Sequence, residues 1–143
     1  MIERTRFGAL VCLILVLGGC ALNDRRIDPV DYARAYPESL DRVTTLDVQV
    51  IRRPQSIELT NATARAFGPS TLWLNAAFSR PIDGLAVGET LTIPLGEFRN
   101  EFSERFRAGG FFATVDPTKL VLAELETDDG ALYGLIVVEN VLE

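Results

Sequence analysis

The stretch that predicts the fold most clearly is residues 119–139, Lys119-Leu-Val-Leu-Ala-Glu-Leu-Glu-Thr-Asp-Asp-Gly-Ala-Leu-Tyr-Gly-Leu-Ile-Val-Val-Glu139. Asp129-Gly130 lies between two apolar runs, and this dipeptide favours a tight hairpin turn because glycine readily adopts a positive φ. The runs on either side are rich in β-branched and apolar residues, as strands are. We therefore predict that the last two strands pair as an antiparallel hairpin.

Runs of the same kind recur from Val43 onward and are separated by Gly, Pro, Asn and Asp. The predicted strands are Val43–Arg52, Ser56–Phe67, Thr71–Ser79, Glu89–Leu95, Phe111–Val115, Lys119–Thr127 and Ala131–Glu139. Short strands at this spacing predict a mainly β domain over residues 42–143, an antiparallel immunoglobulin-like sandwich of about seven strands with one short helix. The chain is long enough for one domain with a hydrophobic core.

The fourth predicted strand follows a Gly-Glu-Thr turn and contains Pro94. Proline cannot donate a ladder hydrogen bond, so we expect this strand at an edge of its sheet. The run from Leu85 to Thr90, Leu-x-x-Gly-Glu-Thr, is similar to one found in immunoglobulin-like bacterial modules.

Aromatic residues supply the candidate contacts with a partner. Phe98, Phe102 and Phe106 recur at every fourth position of Glu97–Arg107, and we predict a short helix there because a strand would place polar residues on the same face. The stripe is expected to pack on the sheet, and the alternative is a partner groove. Trp73 is expected in the core, and its exposure would mark a contact site.

Composition excludes several classes of chemistry. The chain has no histidine, two cysteines, 14 basic and 20 acidic residues, for a net charge of -6. This acidic balance argues against a nucleic-acid partner, because Lys and Arg supply most of that affinity. Without histidine and with Cys12 in an apolar leader, a Cys/His metal site and a disulfide within the domain are excluded, and we expect no cofactor and no enzymatic activity.

The first twenty residues have the organisation of an export signal. Two arginines precede an apolar run, Phe7 to Leu17, and small residues follow it. Leu17-Gly18-Gly19-Cys20 resembles the lipobox of bacterial lipoproteins. The alternative is a membrane-spanning helix, for which the run is shorter than the roughly 20 apolar residues required.

The lipoprotein resemblance implies a location and an anchor. It implies that residues 1–19 are removed as a signal peptide, that Cys20 receives lipid, and that Ala21 directs the protein to the outer membrane, facing the periplasm. Without its first 19 residues the chain carries a net charge of -7. Residues 20–41 are polar, contain two prolines, and predict a flexible tether, with a short helix from Pro29 to about Ala35.

Carboxylates are the remaining candidates for catalysis or metal binding. Glu124 and Glu126 would share one strand face, which could place two acids as in a glycosidase, but a solvated sheet face is the simpler interpretation. Asp128 and Asp129 could contact calcium, although the turn already explains them. Asn61-Ala62-Thr63 matches the glycosylation sequon.

The function that follows from these patterns is a non-enzymatic binding or scaffolding module, anchored by lipid on Cys20 and offering a strand edge or loops to another envelope protein. One alternative is a small hydrolase that uses carboxylates alone, which requires a cleft where two acids converge. The other is a carrier of a hydrophobic ligand, which requires a cavity inside the fold.

Overall fold

The computed structural model describes Asp28 and residues 31–142, and these form a mainly β domain. The strands are β1 Arg42–Arg52, β2 Ser56–Asn61, β3 Ser70–Leu74, β4 Phe78–Ile82, β5 Thr90–Pro94, β6 Ala123–Thr127 and β7 Leu132–Asn140. A 3₁₀ helix, Leu95–Glu97, follows β5.

All seven strands belong to one sheet in the order β4-β3-β6-β7-β1-β2-β5, curled into a half-barrel. Neighbouring strands are antiparallel except β1 and β7, which run parallel. The mainly β class is confirmed, but a single mixed sheet does not confirm an antiparallel immunoglobulin-like sandwich. β5 ends the order, so the expectation that Pro94 confines its strand to an edge is confirmed.

The predicted terminal hairpin is present as β6 and β7. Glu124 pairs with Gly134 and Leu125 with Tyr133. The turn is closed by hydrogen bonds from the Thr127 amide to the Ala131 carbonyl and from the Gly130 amide to the Thr127 carbonyl. Gly130 has a φ of 79°, the conformation for which glycine was expected at this position.

Two of the predicted strands are wrong. The run Thr71–Ser79 is divided into β3 and β4 by a turn at Asn75 and Ala76, whose φ values are 54° and 50°. A contact with a distant segment stabilises this turn, because the Asn75 side-chain oxygen accepts the amides of Val121 and Leu122. Residues 111–115 form an exposed loop and not a strand.

The helix predicted over Glu97–Arg107 is also wrong. Residues 99 and 105 instead face each other across a tight turn in which Ser103 has a φ of 62°. The Asn100 side chain accepts the amides of Phe102 and Glu104 and replaces the helical hydrogen bonds. Asn favours such local bonds over a helix interior. Residues 33–35, the last part of the other helix expected, are not helical.

The hydrophobic core fills the inner face of the curl, which we define as the face that carries Leu72 and Leu74. Its buried members come from every strand and from the segments that connect them; they are Val48, Val50, Ile57, Leu59, Phe67, Leu72, Leu74, Ile82, Leu85, Ile93, Leu95, Phe98, Phe106, Leu120, Ala123, Leu125 and Leu135. Side chains alternate along a strand, so Trp73, Glu124 and Glu126 point to the outer face.

Candidate functional site

The outer face carries a buried carboxylate, Glu124, which is only 1% exposed. Arg42 donates to its Oε1 through Nη2 and, at 3.0 Å, through Nε. Tyr36 donates its hydroxyl to Oε2 at 2.8 Å. A Cβ at Gly134 would lie 3.0 Å from the Arg42 side chain, so a glycine here lets Arg42 cross β7 to reach Glu124.

Glu126, two residues further along β6, is the second carboxylate of the outer face. Arg34 donates to its Oε2 at 2.6 Å, and the indole Nε1 of Trp73 donates to the same oxygen at 2.7 Å. Both carboxylates are therefore neutralised by arginine and hydrogen-bonded. The expectation that they lie on a solvated sheet face is wrong for Glu124, because an overlying segment excludes water from it.

That overlying segment, residues 31–41, is defined here as the arm. The Tyr36 ring meets Trp73 edge to face with centroids 5.4 Å apart, and the Arg34 guanidinium lies 4.9 Å from the centre of the Trp73 ring. At its start, the Tyr32 hydroxyl donates to the Glu97 carbonyl, and the Tyr32 backbone carbonyl accepts a bond at 2.9 Å from the Ser79 hydroxyl. The arm thus crosses β4, β3 and β6 before entering β1. It is part of the range predicted as tether.

Alkaline pH should release the arm. Burial, with a smaller contribution from the hydrogen bond to Glu124, raises the pKa of Tyr36 from 10.0 to about 12. A raised pKa means that the folded state favours the neutral phenol, so the stabilisation is complete below pH 10 and is lost as the pH rises through about 12. We expect a step in Trp73 fluorescence in this range that is missing in Tyr36→Phe. Tyr32→Phe, the matched control, should keep the step; its persistence in Tyr36→Phe would contradict this role.

A second feature is the loop of residues 107–118, whose two ends are fixed. The Thr118 amide donates to the Arg107 carbonyl at 2.9 Å. Arg52, which is fully buried, donates at 2.6 Å to the Ala108 carbonyl and also bonds the carbonyl of Val141. Burial lowers the pKa of this guanidinium. The Gln55 side-chain amide donates to the Gly109 carbonyl at 3.0 Å. We call Arg52 and Gln55 the stem of the loop, because their hydrogen bonds fix its start.

The tip of this loop presents aromatic side chains to solvent. Phe111 and Phe112 are 96% and 91% exposed, and their rings contact each other with centroids 5.0 Å apart. We call these two residues the aromatic tip. The sequence contained a signal that was missed: two adjacent phenylalanines after Gly109-Gly110 do not alternate as a half-buried strand requires.

The candidate contacts predicted from the sequence are separated by the fold. Phe98, Phe106 and Trp73 are buried, so they present no surface to a partner, and the burial expected for Trp73 is confirmed. Phe102 is 76% exposed. On the predicted helix the three phenylalanines would share one face. In the tight turn between residues 99 and 105, Phe102 instead faces solvent. Cys20 lies outside the described residues.

A third feature is a groove of about 590 Å³ where the curled sheet stops short of closing, between β4 and β5. Its floor consists of apolar side chains, and polar groups line its rim; the residues are Phe67, Ile82, Leu85, Leu91 and Ile93 with Arg80, Asp83 and Glu89. Each flanking strand contains one proline, Pro81 in β4 and Pro94 in β5. Proline at an edge interrupts continuous pairing with another strand.

The remaining sequence candidates have structural roles. Asn61, the sequon residue, is fully buried, so it is closed to a glycosylating enzyme in this fold. Asp129 accepts from Thr127 and from the Ala131 amide within the hairpin turn. Among the described residues no group of three or more His, Cys, Asp or Glu is placed to hold a metal ion.

No protein-family model, no curated protein and no solved structure matches this chain. Within residues 31–142 and Asp28, no helix has the length and apolar character needed to cross a membrane.

Proposed function

We propose that this chain is a bacterial envelope lipoprotein, held by lipid on Cys20 at the outer membrane and facing the periplasm. There it acts as a non-enzymatic binding or scaffolding module for another envelope protein. The leader and the sequence Leu17-Gly18-Gly19-Cys20 support the anchor. The arm supports a scaffold, because it connects the anchored end of the chain to the sheet by direct contacts.

The observation that carries the binding role is the open groove between β4 and β5. It combines an apolar floor with a rim of both charges, the composition that ligand and peptide sites share. An extended segment of a partner would lie along the gap, with side chains in contact with Leu91 and Ile93. Pro81 and Pro94 limit backbone pairing, so recognition would depend on side chains and not on a continuous ladder.

The state of the two outer-face carboxylates supports the non-enzymatic part of the proposal. A general acid or base needs a free proton-transfer position within reach of a substrate. The Glu124 carboxylate is instead held by Arg42 and Tyr36 beneath the arm, and that of Glu126 by Arg34 and Trp73.

The anchor can be tested by labelling growing cells with palmitate. The wild-type protein should incorporate label, whereas Cys20→Ala should incorporate none, because the lipid is attached through the cysteine sulfur. Cys12→Ala is the matched control and should label like wild type. Label in Cys20→Ala, or its absence from wild type, would contradict lipidation at this position.

The groove can be tested by crosslinking in intact membranes. A photoreactive residue in place of Thr92, which is exposed on β5 beside the groove, should form a covalent product with one envelope protein. The matched control is Thr44, an exposed threonine on β1 in the middle of the sheet. Recovery of the protein alone, or equal products from both positions, would contradict a binding groove.

A further inference from the structure

The aromatic tip has the exposure of a contact surface. Phe111 and Phe112 are 96% and 91% exposed, far beyond the partial exposure usual for phenylalanine, and Val115 beside them is 55% exposed. Two adjacent apolar rings held in water on a folded protein indicate a surface that is covered in use. The stem formed by Arg52 and Gln55 presents the tip without requiring the loop to fold on binding.

The length of chain before the arm limits how far the tip can be from the anchor. Ten residues lie between Cys20 and Asp31, so the two are joined by eleven residue-to-residue steps. Fully extended at roughly 3.6 Å each, they reach at most about 40 Å. A domain of this size is itself about 35 Å across. A lipid on Cys20 therefore keeps the domain within about one diameter of the membrane.

The arm also reaches the sheet next to the root of the loop. Tyr32 contacts the carbonyl of Glu97. The carbonyl of the next residue, Phe98, accepts the Phe106 amide at 3.3 Å, and Phe106 leads directly into Arg107 and the loop. The anchored end of the chain thus meets the domain at the end of the sheet that also carries the loop with the aromatic tip.

Charge favours this side of the domain as the one that approaches a membrane. The exposed charged side chains of residues 98–119 are three basic and three acidic, for no net charge, whereas the whole chain has a net charge of -6. The basic residues are Arg105, Arg107 and Lys119, the sole lysine, while Arg99 is buried. Anionic headgroups attract basic segments and repel acidic surfaces, so the rest of the domain is disfavoured at the bilayer.

We infer that Phe111 and Phe112 enter the interfacial layer of the membrane that carries the anchor and so orient the domain. This inference rests on the proposed lipidation of Cys20. Aromatic rings are enriched at this depth of a bilayer. A lipid anchor alone leaves the domain free to rotate about its attachment point, and a second contact with the membrane restricts its orientation. The groove between β4 and β5 would then be held in one orientation above the membrane.

The depth of the tip can be measured on the lipidated protein in vesicles of phosphatidylethanolamine and phosphatidylglycerol. The acylated Cys20 leaves no competing thiol in the processed chain, so one introduced cysteine takes a single environment-sensitive fluorophore. Ala113→Cys places it beside the intact aromatic tip. Val87→Cys is the control. Val87 is exposed and precedes the start of β5, whereas the other end of β5 leads into Leu95, whose amide bonds to Gln55 of the stem. The fluorophore at residue 87 therefore lies at the opposite end of the sheet from the aromatic tip.

The emission of a fluorophore at residue 113 should shift to shorter wavelength on binding to vesicles, and it should lose intensity when the vesicles include brominated lipids. The emission of a fluorophore at residue 87 should change little in either measurement. Phe111→Ser together with Phe112→Ser should abolish both changes without releasing the protein from vesicles. Absent or equal quenching at the two positions would overturn the inference, and that result is expected if the tip docks on a protein. Failure of palmitate labelling would instead refute the anchor, so the two failures are distinguishable.

Discussion

Trp73→Ala should lower the free energy of unfolding by about 3–5 kcal/mol, the range for removing a large buried aromatic side chain. Trp73 is fully buried although it points away from the main core. Its loss would leave a cavity beneath the arm, remove the edge-to-face contact with Tyr36, and leave Glu126 without the indole donor. Urea unfolding followed by circular dichroism measures the change without relying on tryptophan fluorescence.

Phe102→Ala is the matched control for Trp73→Ala. Phe102 is also aromatic but is 76% exposed, so its removal should change stability by no more than about 0.5 kcal/mol. Equal effects of the two substitutions would mean that Trp73 is not covered by the arm. If Trp73→Ala fails to fold, Trp73→Phe, which keeps a smaller aromatic ring but lacks the Nε1 donor, should show an intermediate loss.

Asn61→Asp should destabilise the fold by about 3 kcal/mol or more at neutral pH, because it places an uncompensated charge in a buried site. Asn61 is fully buried, and its Nδ2 donates to the carbonyls of Arg65, Leu85 and Ala86 at 2.8, 3.3 and 3.0 Å. An aspartate would turn an acceptor toward these three oxygens. The folded state would then favour the protonated carboxyl, so the deficit should shrink as the pH falls toward about 4.

Asn100→Asp is the same chemical change at a site where the asparagine oxygen, and not its nitrogen, makes the hydrogen bonds to the backbone. Its Oδ1 accepts two backbone amides, which a carboxylate accepts equally well. The Nδ2 bond to Glu104 is lost and two carboxylates then face each other, but this pair is exposed, so solvent screens the repulsion and Glu104 can turn away. We expect a loss of about 1 kcal/mol or less in thermal or urea unfolding. A stability of Asn61→Asp that matches Asn100→Asp and does not vary with pH would contradict the donor role of Asn61.

Where a few adjacent residues decide a structure, the sequence predicted it. Asp129-Gly130 between apolar runs was sufficient for the β6–β7 hairpin, and Pro94 for an edge strand. One failure came where a contact with a distant segment decided the outcome. Asn75 forms a turn without glycine or proline because its oxygen accepts amides from residues 121 and 122. No local pattern contains that information.

The candidate surfaces show the same division. Tyr32, Arg34 and Tyr36 alternate as one face of an extended segment does, and this pattern could have indicated that part of the predicted tether packs on a sheet. The groove could not have been predicted, because it is a gap between two strands that do not pair. The exposure of Phe111 and Phe112 depends on the stem bonds from Arg52 and Gln55, more than fifty residues earlier.

The sequence by itself determined the mainly β class, the terminal hairpin, the expected lipid attachment at Cys20 and the classes of chemistry that lack their residues. These follow from local backbone preferences and from side-chain inventory. Only the tertiary structure decided that β1 lies parallel to β7, that Glu124 is buried beneath the arm, and which phenylalanines face solvent. Such outcomes depend on pairings between distant segments, whose free energy comes from burial and hydrogen bonds that exist only once the whole sheet has curled.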